Sequence, residues 1–556
     1  MIVSYAKKNK SLSKGLYKMS NLIKCPVCNS VMTKKPGQYG EYCKCFKCNV
    51  NYSRAKLIKM GLWDMEEKKE SIVNLPVMGE FKPTEEQDLI INEFKKYSNN
   101  ISVKANPGTG KTRLLTHISQ MIQSENKNYI ALSFSNLAVN SMTEKGIAAS
   151  TVNSQALKFA KKLYPKATID KYKMSNLIME CGLIAEDDRK KNKTEIIRII
   201  SLLDANLLPY TIDGLNTLNE LDYKITLEIN QILVNIVNDI DKRRIASRKN
   251  KLDFDDTLRI AHKNKDICTK FDFILVDESQ DLTKLNLEVI ANMSEENTLY
   301  IFVGDVNQSI YIFRGANKTS IEDINKRFNC NVFELTLTFR TPEKIVEFLN
   351  AEFPEIKLTS KKSGGEVNFI SESFMLESIL QDESAYIICR NNAPLIKPAY
   401  TMIKQGLSVC IKGKDIALDV INFIDYMGYK FNAKFETLSD VMNSYYNETC
   451  EKFKNAKNKT FLDELNEKIE LIKEMLNISE SLDDVKLKID SLFSDDDAKY
   501  TFMTGHKSKG LEHESVYVYK PELVGKNAKT ETEKSQEYNL KWVMYTRSLN
   551  KLTFVS

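Results

Sequence analysis

The amino-acid sequence predicts an α/β fold built on parallel β-sheets. Three observations support this prediction: apolar, β-branched runs alternate with segments of helical period, a glycine-rich loop follows one run, and two acids follow another. A chain of 556 residues is too long for one hydrophobic core, so several domains are expected. The candidate strands are Ile101 to Ala105, Tyr129 to Phe134, Phe273 to Val276, Leu299 to Val303, Tyr386 to Cys389 and Ser515 to Tyr519.

The composition is typical of a soluble globular protein, with 42% hydrophobic and 28% charged residues. No apolar run approaches the roughly 20 residues that a membrane helix needs, and the N-terminus lacks the apolar stretch of a signal peptide. Six of the 11 cysteines are scattered singly, which suits a reducing compartment. We therefore expect no membrane partner and an intracellular location, either cytoplasmic or nucleoid-associated, or in the host cell cytoplasm if the protein is viral.

Charge is distributed unevenly along the chain. The net charge is +6, yet residues 1–63 contain 13 Lys or Arg and a single acid, Glu41, which gives this segment a charge of +12. The remainder is therefore about 6 units negative. This asymmetry indicates either nucleic-acid binding or a solvated charged face, and charge alone favours neither.

The other five cysteines fall within the basic segment, and four of them have the spacing of a zinc ribbon. Two CxxC pairs separated by sixteen residues can supply four thiolates to a tetrahedral, structural ion. The alternative is a set of unligated thiols. Residues 1–63 are thus predicted to form a basic zinc-ribbon module, followed by a linker over residues 64–80. The predicted ligands are Cys25, Cys28, Cys45 and Cys48, with Cys43 as an alternative to Cys45.

Two α/β domains are predicted after the linker, over residues 81–330 and 331–556. Each is interrupted by a charged segment of helical period, at about residues 158–250 and 415–495. We interpret both segments as helical insertions, since they break the alternation of strands and helices.

A phosphate-binding loop is predicted at residues 105–112, which have the sequence ANPGTGKT. The loop follows a candidate strand and precedes a helical pattern, which is the context that a P-loop requires. Its glycines allow backbone N–H groups to face phosphates, and the Lys and Thr side chains would bind the β and γ oxygens and Mg²⁺. The predicted ATP and magnesium site therefore includes Gly108, Thr109, Gly110, Lys111 and Thr112.

Acidic residues follow the buried strand at 273–276, in the sequence DESQD. The end of a parallel strand lies at the same sheet edge as the P-loop. Asp277 is therefore predicted to hold Mg²⁺ through water, and Glu278 to orient and deprotonate the attacking water.

Further strings follow in order along the chain, and together with the two above they resemble the superfamily-one helicases of the UvrD, Rep and PcrA type. The resemblance covers about residues 81–556 outside the insertions and implies two RecA-like ATPase domains. One departure concerns residues 537–548, which lack the paired arginines usual in the family. The strings are FKPTEEQ at 81–87, YIALSFSNLAVNSM at 129–142, LDFDD at 252–256, GDVNQSIYIFRGA at 304–316, TFRT at 338–341, TGHKSKGLE at 504–512 and EYNLKWVMYTRS at 537–548.

The resemblance implies that further residues surround the nucleotide. Some would contact adenine or ribose, while others would sense the γ-phosphate or reach it as arginine fingers across a cleft. The first group is Gln87, Arg113, Phe339 and Glu512, and the second is Gln308, Arg340 and Arg547.

Single-stranded DNA contacts are implied as well. Aromatic side chains can stack on bases whatever the sequence, which suits a motor; burial of Tyr311 and Phe313 in a core is the alternative. The implied contact residues are Phe134, Asn136, Tyr311, Phe313, Arg314 and His506.

The sequence therefore predicts an ATP-dependent DNA helicase or translocase that moves 3′ to 5′ on single-stranded DNA. Its expected partners are single-stranded and tailed duplex DNA, with replication or repair proteins. One alternative is a translocase, stimulated by single-stranded DNA or RNA, that remodels protein–nucleic acid complexes without processive unwinding. Another is a DNA-binding regulator that uses ATP as a switch.

Overall fold

The computed structural model describes residues 33–35, 42–45, 50–53, 81–134, 136–223, 225–310, 320–452, 460–494 and 498–556. The chain forms two compact units, Met1–Val77 and Met78–Ser556. In the first unit, strands β1 (Thr33–Lys35), β2 (Tyr42–Cys45) and β3 (Val50–Ser53) form an antiparallel sheet in that order. The predicted zinc ligands Cys25, Cys28 and Cys48 lie outside the described residues, and of Cys45 only the backbone position in β2 is described.

The second unit begins with a parallel sheet in the order β11-β4-β10-β9-β5-β6. Since all the strands point the same way, the residues after β4, β9 and β10 meet at one edge. The P-loop, the acidic pair and residues 305–310 follow these three adjacent strands. The strands are β4 (Asn100–Ala105), β5 (Tyr129–Ser133), β6 (Ala149–Thr151), β9 (Phe271–Val276), β10 (Ser294–Gly304) and β11 (Cys330–Leu335), and a separate parallel pair is formed by β7 (Thr168–Ile169) and β8 (Lys251–Leu252).

Helices cover both faces of this sheet because its strands are apolar on both sides. Along β9, Phe273 and Leu275 enter one apolar cluster, while Ile274 and Val276 enter another. Helices Glu85–Phe94 and Lys111–Ser124 pack on the first face, and helices Val152–Leu163 and Lys284–Ala291 pack on the second. This sheet and its helices form the first lobe of the second unit. Helices Asn136–Glu144, Phe254–Lys263 and Ser320–Phe328 also belong to it.

A helical insertion lies between β7 and β8 and has an apolar core of its own. It contains helices Lys173–Met179, Glu186–Ala205, Ile212–Glu220 and Gln231–Ala246.

Buried charges fix the base of this insertion to the segment 252–256. The Arg244 side chain is fully buried and donates hydrogen bonds to Asp204 at 2.7 Å and to both carboxylate oxygens of Asp253, at 2.7 and 3.0 Å. Asp256 is also fully buried and accepts from Lys173 at 2.6 Å and from Arg248 at 2.8 Å. An unpaired charge is costly in an apolar interior, so removal of one of these side chains would destabilise the fold by leaving its partner uncompensated.

A second parallel sheet has the order β14-β20-β19-β15-β18-β16-β17. Both sheets are parallel and flanked by helices, so the predicted α/β fold is confirmed and is consistent with two RecA-like domains. The strands are β14 (Glu366–Ile370), β15 (Ala385–Cys389), β16 (Val409–Lys412), β17 (Phe493–Ser494), β18 (Tyr500–Thr504), β19 (His513–Tyr519) and β20 (Ser548–Val555), and β12 (Leu337–Thr338) pairs separately with β13 (Thr359–Ser360).

The second sheet and the helices around it form the second lobe of this unit. Four further helices form an insertion between β16 and β17. The insertion helices share an apolar cluster with the sheet, in which Val420 and Ile469 lie with Ile387 and Phe502. No helix among the described residues has both the length and the apolar character to cross a bilayer. The insertion helices are Lys414–Phe431, Leu438–Lys452, Thr460–Leu476 and Leu482–Leu492, and the others are Glu343–Glu352, Glu372–Leu380, Ala393–Lys404 and Glu531–Tyr545.

Two adjacent arginines test the buried ion pairs. Replacement Arg244→Ala should lower the free energy of unfolding by about 3–5 kcal/mol, because it removes the ion-pair partner of the buried Asp253 carboxylate and one of the partners of Asp204. Replacement Arg243→Ala removes an ion pair to Asp239 from a side chain that is 44% exposed, and should cost less than about 1 kcal/mol. Urea unfolding followed by circular dichroism measures both, and equal losses would contradict the proposed importance of the buried cluster.

Candidate active site

The P-loop connects β4 to the helix Lys111–Ser124. Gly108 and Gly110 have φ values of 74° and 84°, a left-handed conformation that favours glycine. Gly110 has no side chain to cap the following helix, so the first N–H groups of that helix face the loop, as an anion site requires. Lys111 Nζ lies 3.9 Å from Glu278 Oε1. Thr112 is partly exposed in the first turn of the helix.

Aromatic and amide groups lie beside this loop. Gln87 is buried, and its side-chain amide donates a hydrogen bond to the Thr109 carbonyl at 3.2 Å. The Arg113 guanidinium carbon lies 5.2 Å from the centre of the Phe81 ring. The structure thus brings two predicted adenine contacts, Gln87 and Arg113, next to the P-loop. Gln87 in addition holds the loop itself.

The start of the second lobe lies directly against the P-loop. Thr338 Oγ1 donates to the Pro107 carbonyl at 2.9 Å, and the Phe339 N–H donates to the Gly108 carbonyl at 2.9 Å. A Cβ placed on Gly108 would lie only 2.5 Å from both Arg340 Cβ and Thr338 Oγ1. Glycine is therefore required at residue 108 by space as well as by conformation. The Phe339 side chain is 45% exposed beside this contact.

Arg340 is placed to bind an anion at the loop. Its Nη1 donates to Glu512 Oε2 at 2.5 Å. Its Nε is buried, has no hydrogen-bond partner among the described residues, and lies 3.1 Å from the Cβ position of Gly108. A buried N–H without a partner beside a phosphate-binding loop fits a polyphosphate. Arg340 and Glu512, both predicted site residues, thus form one ion pair at the P-loop.

The acidic pair follows β9 in an unusual backbone conformation. Glu278 has a φ of 53°, and its N–H donates to Asp277 Oδ1 at 3.0 Å. Burial and the charge of Glu278 raise the pKa of Asp277 to about 7. Burial opposes ionisation of Glu278, but the charges of Lys111 and Lys509 lower its pKa to about 2. Of the two carboxyl groups, Glu278 therefore ionises more readily than Asp277.

Magnesium would fit between the P-loop and the acidic pair, because a hydroxyl and a carboxylate are hard oxygen ligands. Thr112 and Asp277 are the predicted ligands. The ion would neutralise charge on the β and γ phosphates. No cluster of three or more His, Cys, Asp or Glu side chains suited to a metal occurs in the described part of the chain. The remaining ligands of such an ion would be phosphate oxygens and water.

Gln280 connects the acidic pair to the loop after β10, and sequence reasoning gave it no role. Its side-chain N–H donates to Glu278, and its Oε1 accepts the Asp305 N–H at 3.0 Å. Asp305 in turn accepts a hydrogen bond from the indole of Trp542, in the second lobe, at 3.3 Å. The only sequence signal was the position of Gln280 within the DESQD string.

A buried ion pair joins the two lobes at this edge. Lys509 Nζ lies 2.6 Å from Asp281 Oδ2 and donates to the Gln308 carbonyl at 2.7 Å. The side chains of Lys509 and Asp281 are 10% and 3% exposed. Sequence reasoning quoted both strings but missed the pair, because nothing in either string specifies the partner. Gln308, the predicted γ-phosphate sensor, is itself buried.

Arg547 is buried close to these groups, but its guanidinium is hydrogen-bonded within its own lobe. It donates to the Val543 and Leu511 carbonyls at 2.7 and 3.2 Å and to Thr546 Oγ1 at 2.9 Å. Burial and the charge of Arg340 lower its pKa to about 9. Arg547 is thus within electrostatic range of Arg340, while its N–H groups point to neutral oxygens.

The predicted DNA contacts that the structure describes lie at the carboxyl ends of strands. Phe134 follows β5 and is partly exposed, and Asn136 is exposed at the start of helix Asn136–Glu144. His506 is partly exposed in the turn after β18. The other three, Tyr311, Phe313 and Arg314, lie outside the described residues.

Comparison with known proteins identifies relatives of this arrangement. Residues 84–329 match the family described as the UvrD/REP helicase N-terminal domain. The chain is 27% identical over 305 residues to a probable DNA helicase II homolog of Mycoplasma capricolum. The aligned region covers 48% of this chain and 41% of that protein. It is 24% identical over 378 residues to the ATP-dependent DNA helicase PcrA of Bacillus subtilis, covering 58% and 50%.

A third relative is the ATP-dependent DNA helicase srs2 of Schizosaccharomyces pombe, 27% identical over 330 residues, which covers 52% of this chain and 36% of that protein. The matches thus span half or less of the length of these relatives. They support a distant relationship to PcrA-type and srs2-type helicases, and they agree with the resemblance drawn from the motifs.

Two glycines test the close contact at the P-loop. Replacement Gly108→Ala should weaken binding of a fluorescent ATP analogue by more than about tenfold, because the added Cβ must push residues 338–340 away from the loop. Replacement Gly406→Ala is the control, since Gly406 has a similar φ of 78°, while no atom of the residues that the structure describes lies within 4 Å of its Cβ position. Both changes carry a backbone cost of about 1–2 kcal/mol. Equal nucleotide affinities would contradict the contact.

Proposed function

We propose that this chain is an ATP-dependent DNA motor that moves 3′ to 5′ along single-stranded DNA and separates strands. The supporting observation is that the P-loop of the first lobe touches the segment 338–340 of the second lobe, where a buried N–H of Arg340 has no acceptor in the described part of the chain. One nucleotide site would then have walls from both lobes. Hydrolysis there can be coupled to their relative movement.

Binding of ATP would use the groups that surround the P-loop. The backbone N–H groups after Gly108 and the Lys111 ammonium would hold the phosphates. The ring of Phe339 is partly exposed beside the loop and would stack on adenine, and Gln87 and Arg113 would contact the same base. Glu512 would contact the ribose, and its ion pair with Arg340 would bring these two contacts together.

Hydrolysis would use the charge distribution of the acidic pair. Glu278 has the lower pKa of the two, so its carboxylate would be ionised and would orient the water that attacks the γ-phosphorus. Since a carboxylate of low pKa is a weak base, it would take the proton only as the new P–O bond makes that water more acidic. As the bond from that phosphorus to the β,γ-bridging oxygen breaks, Lys111 and Arg340 would neutralise the charge on the phosphoryl group. Arg547 would join them by exchanging its neutral acceptors for a phosphate oxygen, an exchange that charge-assisted hydrogen bonding favours. Gln308 would contact the γ-phosphate and so respond to whether it is present.

The DNA would cross the carboxyl edges of both sheets. Phe134 and Asn136 lie at the carboxyl edge of the first sheet, and His506 lies at that of the second. Tyr311, Phe313 and Arg314 follow the loop 305–310 along the chain. Alternating affinity for bases would then advance the protein along one strand. The expected substrates are single-stranded and tailed duplex DNA, in an intracellular replication or repair setting. We further propose that the basic N-terminal module binds one structural zinc ion through Cys25, Cys28, Cys45 and Cys48.

An unwinding assay with matched lysine variants tests the motor. The full chain with ATP and Mg²⁺ should unwind a duplex with a 3′ single-stranded tail and leave one with a 5′ tail intact. Replacement Lys111→Ala should lower ATP turnover by about 10²–10³-fold, because it removes a charge that stabilises the transition state. The control Lys127→Ala alters a lysine whose side chain is 38% exposed, and should retain full turnover.

Each result of that assay has a separate meaning. Unwinding only from a 5′ tail would refute the polarity and leave the motor intact. Turnover retained by the Lys111 variant would refute the site. Strong ATPase stimulation by single-stranded DNA or RNA without strand separation would favour the translocase that remodels protein–nucleic acid complexes.

Metal analysis tests the zinc proposal. The purified full chain should contain one zinc per chain by inductively coupled plasma mass spectrometry, and Cys25→Ser with Cys28→Ser should remove it. The control Cys450→Ser changes a partly buried cysteine of the second insertion and should keep the zinc. A wild-type chain purified without zinc would contradict the proposal.

A further inference from the structure

A short loop of the first lobe is held by the second lobe. This sensor loop, residues 305–310, follows β10 and contains Gln308. After Ile310 the chain continues into residues 311–319, which include the aromatic residues proposed to stack on bases. The sensor loop therefore connects the proposed nucleotide contact to the proposed DNA contact along only a few residues.

Two side-chain amides of helix Glu531–Tyr545 hydrogen-bond to the backbone of the sensor loop. Gln536 Nε2 donates to the Ile310 carbonyl at 3.0 Å. Asn539 Nδ2 donates to the Ser309 carbonyl at 3.0 Å, with the Val306 carbonyl 3.5 Å away. Residues three apart lie on one face of a helix, so both amides reach the loop together. Because the acceptors are backbone carbonyls, these bonds fix the path of the loop.

The helix itself is packed into the second lobe. Its residues Leu540 and Val543 lie in the apolar core of that lobe, with strand residues Val516 and Val518. Ile310, although it belongs to the sensor loop, is fully buried in the same core. The end of the loop is therefore anchored to the second lobe by one apolar side chain and by two amides that are only partly buried.

We propose that Gln536 and Asn539 are positioning residues that transmit movement of the second lobe, through the sensor loop, to the DNA-contacting segment. The inference rests on the proposed function and extends it, since it names how the nucleotide state alters strand affinity. Both side chains that donate to the sensor loop from this helix are uncharged amides. Neutral amide-to-carbonyl bonds can form and break at little cost as the cleft opens and closes.

A binding experiment on the full chain tests this inference. The dissociation constant of a fluorescein-labelled oligothymidine is measured with and without a non-hydrolysable ATP analogue and Mg²⁺. Couplings between two sites are typically about 5–150-fold in affinity. The wild-type ratio should fall in that range. The double variant Gln536→Met, Asn539→Leu keeps size and charge but removes both donors, and its ratio should fall below about threefold while its affinity for the ATP analogue is kept.

Two controls separate coupling from folding and from side-chain volume. Gln405→Met makes the same chemical change on an exposed residue of the second lobe and should keep the wild-type ratio. Asn539→Gln retains an uncharged amide donor beside the Ser309 carbonyl and should also keep it. A double variant with the wild-type ratio would overturn the inference and leave the proposed function standing, as would an equal loss in Gln405→Met. A wild-type chain that bound the ATP analogue but no strand would overturn the proposed function, and the inference with it.

Discussion

The candidate site depends on the close approach of two backbones at Gly108. The P-loop and residues 338–340 are joined by hydrogen bonds to the carbonyls of Pro107 and Gly108, and no Cβ fits between them. These bonds are neutral and short-ranged, so the position of Arg340 relative to the phosphate-binding loop is set by chain geometry and not by long-range attraction. Every contact that the second lobe makes with a nucleotide would follow from this placement.

Features encoded over a few consecutive residues were predictable from the sequence. The P-loop follows β4, and the acidic pair follows β9, as the apolar runs indicated. Most strands extend beyond the predicted runs, for example Phe271–Val276 against Phe273 to Val276, because sheet pairing continues into less apolar residues. The exception is β5, which ends at Ser133, one residue before the predicted Phe134. The pattern of apolar residues predicts which face of a strand or helix is buried. It does not predict which polar residues at the ends of a strand still form backbone hydrogen bonds to the neighbouring strand.

Contacts between distant residues were not predictable in this way. The pair Lys509 and Asp281 is separated by 228 positions, and Trp542 and Asp305 by 237. Arg547 shows a related limit. The resemblance assigns it to a phosphate, but a buried guanidinium must satisfy its N–H groups, and here neutral oxygens of its own lobe do so. These acceptors are set by how residues 511 and 543–547 pack together, which the motif alone does not specify.

The position of β20 has a consequence for the order of assembly. This strand, residues 548–555, lies inside the second sheet between β14 and β19, directly after Arg547. The first sheet is complete once residue 335 has been made, whereas the second sheet keeps two unpaired edges until β20 arrives. During synthesis on the ribosome the P-loop lobe can therefore fold more than 200 residues ahead of its partner, and the arginine side of the cleft is assembled last. A nascent chain would thus form its glycine-rich loop well before the side chains of residues 509, 512 and 547 could pack around it.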